Sequence, residues 1–208
     1  MSKPVIIIGA GGHAKVLIDC LQLLGIEVLG ALDKNLTKDT VLEVPVLGDD
    51  VMISEYPTKD VELVNGIGSV GNMNLRASIF IKYKKLGYDF RTVIHPSAVI
   101  ARNCILGEGV QIMAGAIINT DTKINENVIV NTGSVIDHEC VIGRHVHIAP
   151  GCTLSGNVRV GDKVHVGTGS KIIQGVVVGS NSLIGAGAVV INEVLSGTKV
   201  IGIPARLY

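Results

Sequence analysis

Two adjacent residues, His138 and Glu139, place a base beside a carboxylate. A neutral imidazole accepts a proton near neutral pH, which suits general-base catalysis. A neighbouring carboxylate can hydrogen-bond the ring and favour the imidazolium. Adjacent side chains of a regular strand point to opposite faces, so this pairing requires a local corner. On spacing alone, a solvated turn accounts for the two residues better than a catalytic pair does.

A second group of residues is typical of nucleotide binding. Segment 9–13 reads Gly-Ala-Gly-Gly-His, and it joins a strand-like run at Val5–Ile8 to an apolar-periodic stretch at Ala14–Leu24. A helix that begins at such a turn attracts phosphate at its N-terminus. Asp33 ends the next strand-like run, where a carboxylate can reach a ribose hydroxyl. Because the third glycine of the dinucleotide fingerprint is missing, we expect a nucleotide-linked substrate rather than a redox cofactor.

The first 88 residues alternate strand-like and helical segments. Further strand-like runs lie at Val28–Leu32 and Val61–Val64, and Asn74–Leu86 reads as a helix. This alternation predicts a small Rossmann-like α/β domain with a parallel sheet, whose ligands bind at the carboxyl ends of the strands. We place the domain boundary near Tyr88–Arg91, so that residues 1–88 form the nucleotide-binding domain and residues 89–208 form a second one.

The second domain has a strict repeat. Residues 93–194 form 17 consecutive hexads, and the second position of each, from Ile94 to Val190, is aliphatic. A period of six fits neither a helix nor a plain strand, but it fits a parallel β-helix whose three flat faces complete one coil in 18 residues. The fifth position is often glycine or asparagine, which tolerate positive φ at corners. The sequence therefore predicts a three-sided prism.

Composition narrows the class of protein. The chain has 18 basic and 18 acidic residues without a basic stripe, so we expect no nucleic-acid partner. No apolar stretch reaches the length of a membrane span and no signal peptide is evident, so we expect a soluble cytoplasmic protein. The four cysteines form no CxxC pair; Cys104, Cys140 and Cys152 occupy the sixth hexad position, where we expect small buried thiols.

Together these motifs resemble one family of enzymes. Their order is similar to that in the hexapeptide-repeat sugar O- and N-acyltransferases related to sialic acid O-acetyltransferase, and most similar to the PglD-like enzymes that acetylate nucleotide-linked 4-amino sugars. The resemblance rests on Gly-Ala-Gly-Gly-His at 9–13, Leu32-Asp33, Pro45-Val46-Leu47-Gly48, Gly66-Ile67-Gly68, Asp137-His138-Glu139-Cys140 and Gly202-Ile203-Pro204-Ala205-Arg206. It implies that the β-helix is left-handed, a property that periodicity alone does not fix.

The resemblance also implies roles for individual residues. His138 would be the general base, Glu139 its partner, and Asn131 would orient the sugar. Acetyl-CoA would lie between neighbouring prisms of a homotrimer, in contact with His147, Gly156, Thr168 and Ala186, with the Gly156 N–H stabilising the oxyanion. The nucleotide sugar, UDP-linked in preference to GDP-linked, would be held by Gly11, Gly12, His13, Asp33, Lys34 and Gly68 of the adjacent subunit.

The implied reaction is direct transfer of an acetyl group to the sugar 4-amine, in the synthesis of bacterial surface glycans or glycoproteins. Sugar O-acetylation of the sialic acid type, and a non-catalytic binding or scaffold subunit, are the alternatives. A prism with several histidines also resembles the γ-class carbonic anhydrases, which hold zinc with three ligands. The spacings of His138, His145, His147 and His165 do not match that family, so we expect no metal. His147 and His165 should instead stack on successive coils.

Overall fold

The computed structural model describes residues 3–35 and 39–208. Its first part is a five-stranded sheet with helices, which confirms the predicted α/β domain. The elements are β1 (Val5–Ile8), α1 (Gly12–Leu23), β2 (Val28–Leu32), β3 (Thr40–Val41), β4 (Val44–Gly48), a 3₁₀-helix (Asp50–Glu55), β5 (Glu62–Asn65) and α2 (Asn74–Lys85). The strand order is β3-β4-β2-β1-β5, and all neighbours are parallel except β3 and β4.

Burial explains why this part of the chain folds as it does. All four residues of β1 are aliphatic and buried, as expected for a parallel strand covered on both faces. Helix α1 buries Ala14, Leu17, Ile18 and Leu21, which recur at the spacing of one helical face. The helix begins at Gly12, two residues before the predicted start, with Gly11 as its N-cap.

The antiparallel pair β3 and β4 was not predicted from the sequence. Its turn consists of Leu42 and Glu43, both at positive φ, and neither residue is a usual turn signal. Pro45 lies within β4, and proline inside a run argues against a strand. Pro45 is tolerated because it lies opposite Thr40 in the short edge pairing.

The second part of the chain is the predicted prism. Seventeen two-residue strands occupy the first two positions of the seventeen hexads, and two more strands close the end. They are β6 Val93–Ile94, β7 Val99–Ile100, β8 Ile105–Leu106, β9 Gln111–Ile112, β10 Ile117–Ile118, β11 Lys123–Ile124, β12 Ile129–Val130, β13 Val135–Ile136, β14 Val141–Ile142, β15 His147–Ile148, β16 Thr153–Leu154, β17 Arg159–Val160, β18 His165–Val166, β19 Lys171–Ile172, β20 Val177–Val178, β21 Leu183–Ile184, β22 Val189–Val190, β23 Lys199–Ile201 and β24 Arg206–Leu207.

From β6 to β19, each prism strand pairs in parallel with the strand 18 residues further on, so the strands form three faces. Face 1 contains β6, β9, β12, β15, β18, β21, β23 and β24; face 2 contains β7, β10, β13, β16, β19 and β22; face 3 contains β8, β11, β14, β17 and β20. We name the corners where the chain passes between faces edge 1/2, edge 2/3 and edge 3/1.

The predicted inward column and corners are both present. The aliphatic second positions form one core from Ile112 to Val190, and those of the first coil are partly buried at the open end. The fifth hexad position has positive φ at every corner from Asn103 to Gly187, even where the residue is not glycine. Cys140 and Cys152 are fully buried inside the prism, as predicted, whereas Cys104 in the first coil is only partly buried.

The α/β domain packs on face 1 of its own prism. His13 of α1 contacts Gln111 of β9, and Ser69 contacts His147 of β15. On edge 3/1, Phe80 of α2 packs edge-on against His145, with ring centroids 5.7 Å apart. The domain therefore covers one face and leaves edge 2/3, on the opposite side, uncovered by it. Neither α1 nor α2, nor any other helix in the described part of the chain, has the length and apolar character to cross a membrane.

Candidate active site

The His138 and Glu139 pair lies on edge 2/3, in the corner between β13 and β14. Glu139 has φ +59°, and this left-handed turn brings its side chain back beside the preceding ring. His138 Nδ1–H donates to Glu139 Oε2 across 3.0 Å. The side chains are 44% and 64% exposed, so the pair is open to a ligand. Since Nδ1 carries the proton, Nε2 is left with a free lone pair that can accept one.

Gly156 lies one coil further along the same edge and supports the imidazole. A Cβ at this position would lie 2.5 Å from His138 Cε1 and 2.6 Å from Nε2, so any residue larger than glycine would displace the ring. The neighbouring N–H groups of Ser155 and Asn157 donate to the carbonyls of Ile172 and His138 in the coil-to-coil ladder. Within the described chain, the Gly156 N–H takes no part in that ladder. It is therefore a free backbone donor next to the candidate base.

Asp137 is a further residue of this corner to which the sequence analysis gave no role. Its Oδ1 accepts from the His138 N–H at 2.8 Å and from Asn119 Nδ2 at 2.9 Å. These hydrogen bonds, first the one from His138, lower the pKa of the Asp137 carboxyl. The carboxylate thus anchors the main chain of the base to the preceding coil. The signal available in the sequence was its place directly before His138.

The glycine turn opens onto a cavity of about 420 Å³ between α1 and edge 1/2. A Cβ added at Gly11 or Gly12 would meet no atom within 4 Å, so the space in front of the helix N-terminus is open. The cavity brings together five of the predicted site residues with Val16, Ser69 and Val70; the five are Gly12, His13, Gly68, Asn131 and His147. The helix N-terminus and the prism therefore face one space that suits an anionic ligand.

His147 is buried against the α/β domain. Its Nδ1–H donates to the Ser69 carbonyl at 2.9 Å, and its Nε2 accepts from Asn131 Nδ2 at 3.1 Å. Burial, together with the nearby His165, lowers the pKa of His147 to about 3, so the ring is neutral. The two imidazoles are neighbours as predicted, 5.2 Å apart, but they meet edge-to-face at 83° instead of stacking. Contact of His147 with a coenzyme stays a prediction, and its ring nitrogens are already engaged within the chain.

A second cavity, of about 440 Å³, lies at the carboxyl ends of β1, β2 and β5. Asp33 and Lys34 line it, together with Asp50 and Lys82. Asp33 Oδ2 accepts from the Ala10 N–H at 2.6 Å, so this carboxylate holds the glycine turn in place. Lys34 is 82% exposed and lies 3.9 Å from Asp50, which forms a closer pair with Lys82 at 2.9 Å. The predicted ribose contact of Asp33 stays a prediction beside this internal role.

Thr168 and Ala186, predicted to contact the coenzyme, lie on edge 1/2. They occupy equivalent corners of successive coils, and the Thr168 carbonyl accepts from the Gly187 N–H at 2.8 Å. Asn131 lies on the same edge, whereas His138 and Gly156 lie on edge 2/3. Within one chain, the width of face 2 therefore separates the predicted base and Gly156 from Asn131, Thr168 and Ala186.

In residues 3–35 and 39–208, no group of three or more histidine, cysteine, aspartate or glutamate side chains is placed to hold a metal ion. Nδ1 of His145 accepts from Asn127 Nδ2 at 2.9 Å. Burial, with the positive charge of Lys163 nearby, lowers the pKa of His145 to about 4.

Comparison with known proteins agrees with this architecture. Residues 4–83 match the family described as the PglD N-terminal domain, and residues 121–156 match the bacterial transferase hexapeptide family of six repeats. The acetyltransferase domain of PglB from Neisseria gonorrhoeae FA1090 is 33% identical with a TM-score of 0.93, and each chain is covered to 100%. The chain belongs to the PglD-like hexapeptide-repeat sugar acyltransferases. The prism is therefore the left-handed β-helix of this family.

Two further proteins are similar to this chain. PerB from Caulobacter crescentus, solved in complex with CoA and GDP-perosamine, is 38% identical with a TM-score of 0.92, covering 100% of this chain and 98% of that one. UDP-N-acetylbacillosamine N-acetyltransferase of Bacillus subtilis (strain 168) is 36% identical over 114 residues, or 54% of this chain. The match spans about half, 52%, of the length of that curated relative.

Proposed function

We propose that the chain is a cytoplasmic N-acetyltransferase that moves the acetyl group of acetyl-CoA to the 4-amino group of a nucleotide-linked amino-dideoxy sugar. The observation that carries this proposal is the corner on edge 2/3, where Glu139 orients the His138 imidazole and Gly156 supports it. Relatives that match the whole chain support the substrates, because they are solved with CoA and GDP-perosamine or with acetyl coenzyme A. One variant of the Caulobacter enzyme, with a histidine replaced by alanine, was solved with the same two ligands.

In the proposed reaction the neutral sugar amine attacks the thioester carbonyl. A C–N bond forms, and His138 Nε2 takes the proton that the nitrogen loses. The Gly156 N–H donates to the oxyanion of the tetrahedral intermediate; one such donor contributes about 3 kcal/mol. The C–S bond then breaks, and the thiolate of CoA leaves and takes the proton from the imidazolium. Glu139 stabilises the imidazolium through Nδ1, and no covalent acyl-enzyme is needed.

Cysteine chemistry is not part of this mechanism. Burial raises the pKa of the Cys140 thiol to about 11, and burial likewise raises the pKa of Cys152. Both side chains are fully buried in the prism, where they hydrogen-bond main-chain carbonyls. A buried thiol with a raised pKa is a poor nucleophile.

We also propose that the complete site forms between subunits of a homotrimer. The base lies on edge 2/3, whereas the glycine turn, Asn131 and Thr168 border edge 1/2. One chain cannot join these groups, but edge 2/3 of one copy can meet edge 1/2 of the next around a threefold axis. Exposed aliphatic residues on faces 2 and 3 favour such contacts; they are Val99, Ile105, Ile117 and Val177. A monomeric mass by light scattering would contradict the trimer.

The proposed activity is tested by thiol release from acetyl-CoA. The acceptors are a UDP-linked 4-amino-4,6-dideoxy sugar, GDP-perosamine and matched sugars with a hydroxyl at position 4. We expect rapid release with an amino sugar, UDP-linked in preference to GDP-linked, and a loss of about a hundredfold or more in His138→Ala, as expected for a general base. Release that persists in the variant would remove His138 from its role. Release with hydroxyl acceptors alone would overturn N-acetylation.

A further inference from the structure

Arg76 of α2 is a buried cation without a carboxylate. Its side chain is 1% exposed, and no ion pair in residues 3–35 and 39–208 includes it. Nη1 donates to the carbonyls of Asn65 and Ile67, each at 2.8 Å, while Nε and Nη2 have no partner within the described chain. Burial lowers the pKa of Arg76 to about 9, so the guanidinium is charged at neutral pH.

This arrangement is costly for the folded state. A buried charge loses its hydration, and an opposite charge normally compensates for that loss. The nearby imidazoles of His13, His145 and His147 cannot supply a negative charge, because a histidine side chain is either neutral or positive. Their lowered pKa values keep them neutral, so they also do not repel Arg76. Well-packed apolar residues often replace even buried ion pairs without loss of stability, and among the described residues Arg76 has no partner of opposite charge. A function in ligand binding explains Arg76 better than a contribution to stability does.

The two carbonyls that Arg76 holds both belong to the loop 65–68, which packs directly on the glycine turn. A Cβ at Gly66 would lie 2.6 Å from Ile7 Cγ2 and 2.9 Å from the Ile8 carbonyl, so the loop is pressed against β1. The Ile67 side chain fills the space where a Cβ of Gly9 would lie, at 2.6 Å. A shift of this loop would therefore displace the glycine turn as well.

The same loop borders both cavities. Ile67 lines the cavity that holds Asp33 and Lys34, whereas Gly68 lines the cavity at the N-terminus of α1. The prism holds the loop from the other side, because Gln111 Nε2 donates to the Asn65 carbonyl at 2.9 Å. One buried guanidinium thus fixes the part of the chain where the two cavities and the prism meet.

We propose that Arg76 is a positioning residue for the nucleotide sugar: it holds the carbonyls of Asn65 and Ile67 so that loop 65–68 and the glycine turn keep the shape that binds the nucleotide diphosphate. This inference rests on the proposed function. The positive charge, which no carboxylate of the described residues neutralises, adds to the attraction of the α1 N-terminus for the diphosphate.

The test compares three substitutions of one residue. Arg76→Lys keeps the charge but not the planar fork, Arg76→Gln keeps a donor without charge, and Arg76→Met removes both. Arg91→Met is the matched control, because Arg91 is also largely buried but pairs with Glu62 at the opposite end of β5, 2.6 Å away. For each purified protein, calorimetry gives the Kd of GDP-perosamine and of a UDP-linked 4-amino-4,6-dideoxy sugar. Thiol release gives the KM of acetyl-CoA.

We expect Arg76→Met to raise the Kd of the nucleotide sugar by about tenfold or more, with Arg76→Gln close to it and Arg76→Lys intermediate. The KM of acetyl-CoA should stay within about twofold in all of them, and Arg91→Met should bind the nucleotide sugar as the wild type does. If Arg76→Met does not fold, Arg76→Lys still tests the inference, with faster hydrogen exchange of residues 64–70 as the second readout.

Two results would overturn the inference while leaving the proposed function intact. One is an unchanged nucleotide-sugar Kd in Arg76→Lys and Arg76→Met. The other is an equal weakening of both substrates that Arg91→Met reproduces, which would assign Arg76 to general stability. A wild-type protein that binds neither nucleotide sugar would overturn the proposed function, and the inference with it.

Discussion

Gly156→Ala tests whether the corner on edge 2/3 is the catalytic centre. The φ of Gly156 is not in the left-handed region, so alanine is compatible with the main chain, and its N–H is retained for the oxyanion. The new Cβ would lie 2.5 Å from His138 Cε1, whereas ordinary contacts begin near 3.4 Å. The ring must therefore withdraw by about 0.9 Å, and because it is 44% exposed it can move into solvent.

The magnitude follows from that displacement. Misplacing a reacting group by about 1 Å costs on the order of a hundredfold in rate. We therefore expect kcat for thiol release to fall about a hundredfold. Folding stability should not fall, because alanine restricts the unfolded chain and contributes about 0.4–1 kcal/mol where its conformation is allowed. Thermal unfolding of both proteins checks the second expectation.

A double-mutant cycle gives the control. If alanine acts only by displacing the imidazole, then Gly156→Ala should cost little more in a His138→Ala background, since the base is already absent. Wild-type kcat in the single variant would refute the reasoning. So would losses that multiply in the double variant, which would show that the substitution acts on the oxyanion or the coenzyme instead of the ring.

Two further predictions concern pH and the anchor of the base. In the folded chain, the pKa is about 4 for His13, about 4 for His145 and about 3 for His147, against 6.5 for a free imidazole. As the pH falls, these residues therefore take up protons in the unfolded chain before they do so in the folded chain. The contribution of these imidazoles to the free energy of unfolding should be fully present above pH 6.5. It should decline towards pH 4 by as much as about 1.4 kcal/mol per pH unit for each imidazole. Equal free energies of unfolding from urea titrations at pH 7.5 and pH 5.0 would contradict this prediction. Asp137→Ala should lower kcat for thiol release roughly tenfold, because the His138 N–H loses its anchor, whereas Asp137→Asn keeps an oxygen acceptor and most of the activity. An equal loss of kcat in Asp137→Ala and Asp137→Asn would show that the negative charge of Asp137, and not its hydrogen bond to the His138 N–H, is what matters.

Much of the prism could be predicted because its rule is local. Every hexad repeats an inward aliphatic residue and a corner residue, so the strands from Val93 to Val190 follow directly from counting. The same counting predicts that His138 and Glu139 lie at a corner, and the positive φ of Glu139 is what makes their pairing possible. The Rossmann-like domain could also be predicted, because its alternation of strands and helices is visible locally in the sequence.

The remaining features depend on contacts between distant parts of the chain. Nothing near His147 indicates that the α/β domain would cover it, because Ser69 is 78 residues away. From the sequence, Arg76 is expected to be an ordinary exposed residue of a helix. Only the tertiary structure brings its guanidinium to the carbonyls of Asn65 and Ile67. The sequence likewise gives no sign that Asp33, predicted to contact a ribose, also accepts from the Ala10 N–H at 2.6 Å.

The pairing of each strand with the one 18 residues on also limits how the length of this chain can change. Inserting or deleting six residues would keep the inward column but rotate all later corners by one face, so that Thr168 and Ala186 would leave edge 1/2. Inserting 18 residues would keep every corner on its edge and move it along the axis by one strand spacing, about 4.8 Å. Changes of length inside the prism therefore keep the corners on their edges only in whole coils. Each added coil changes the distance between His138 and the residues beyond the insertion by one fixed step.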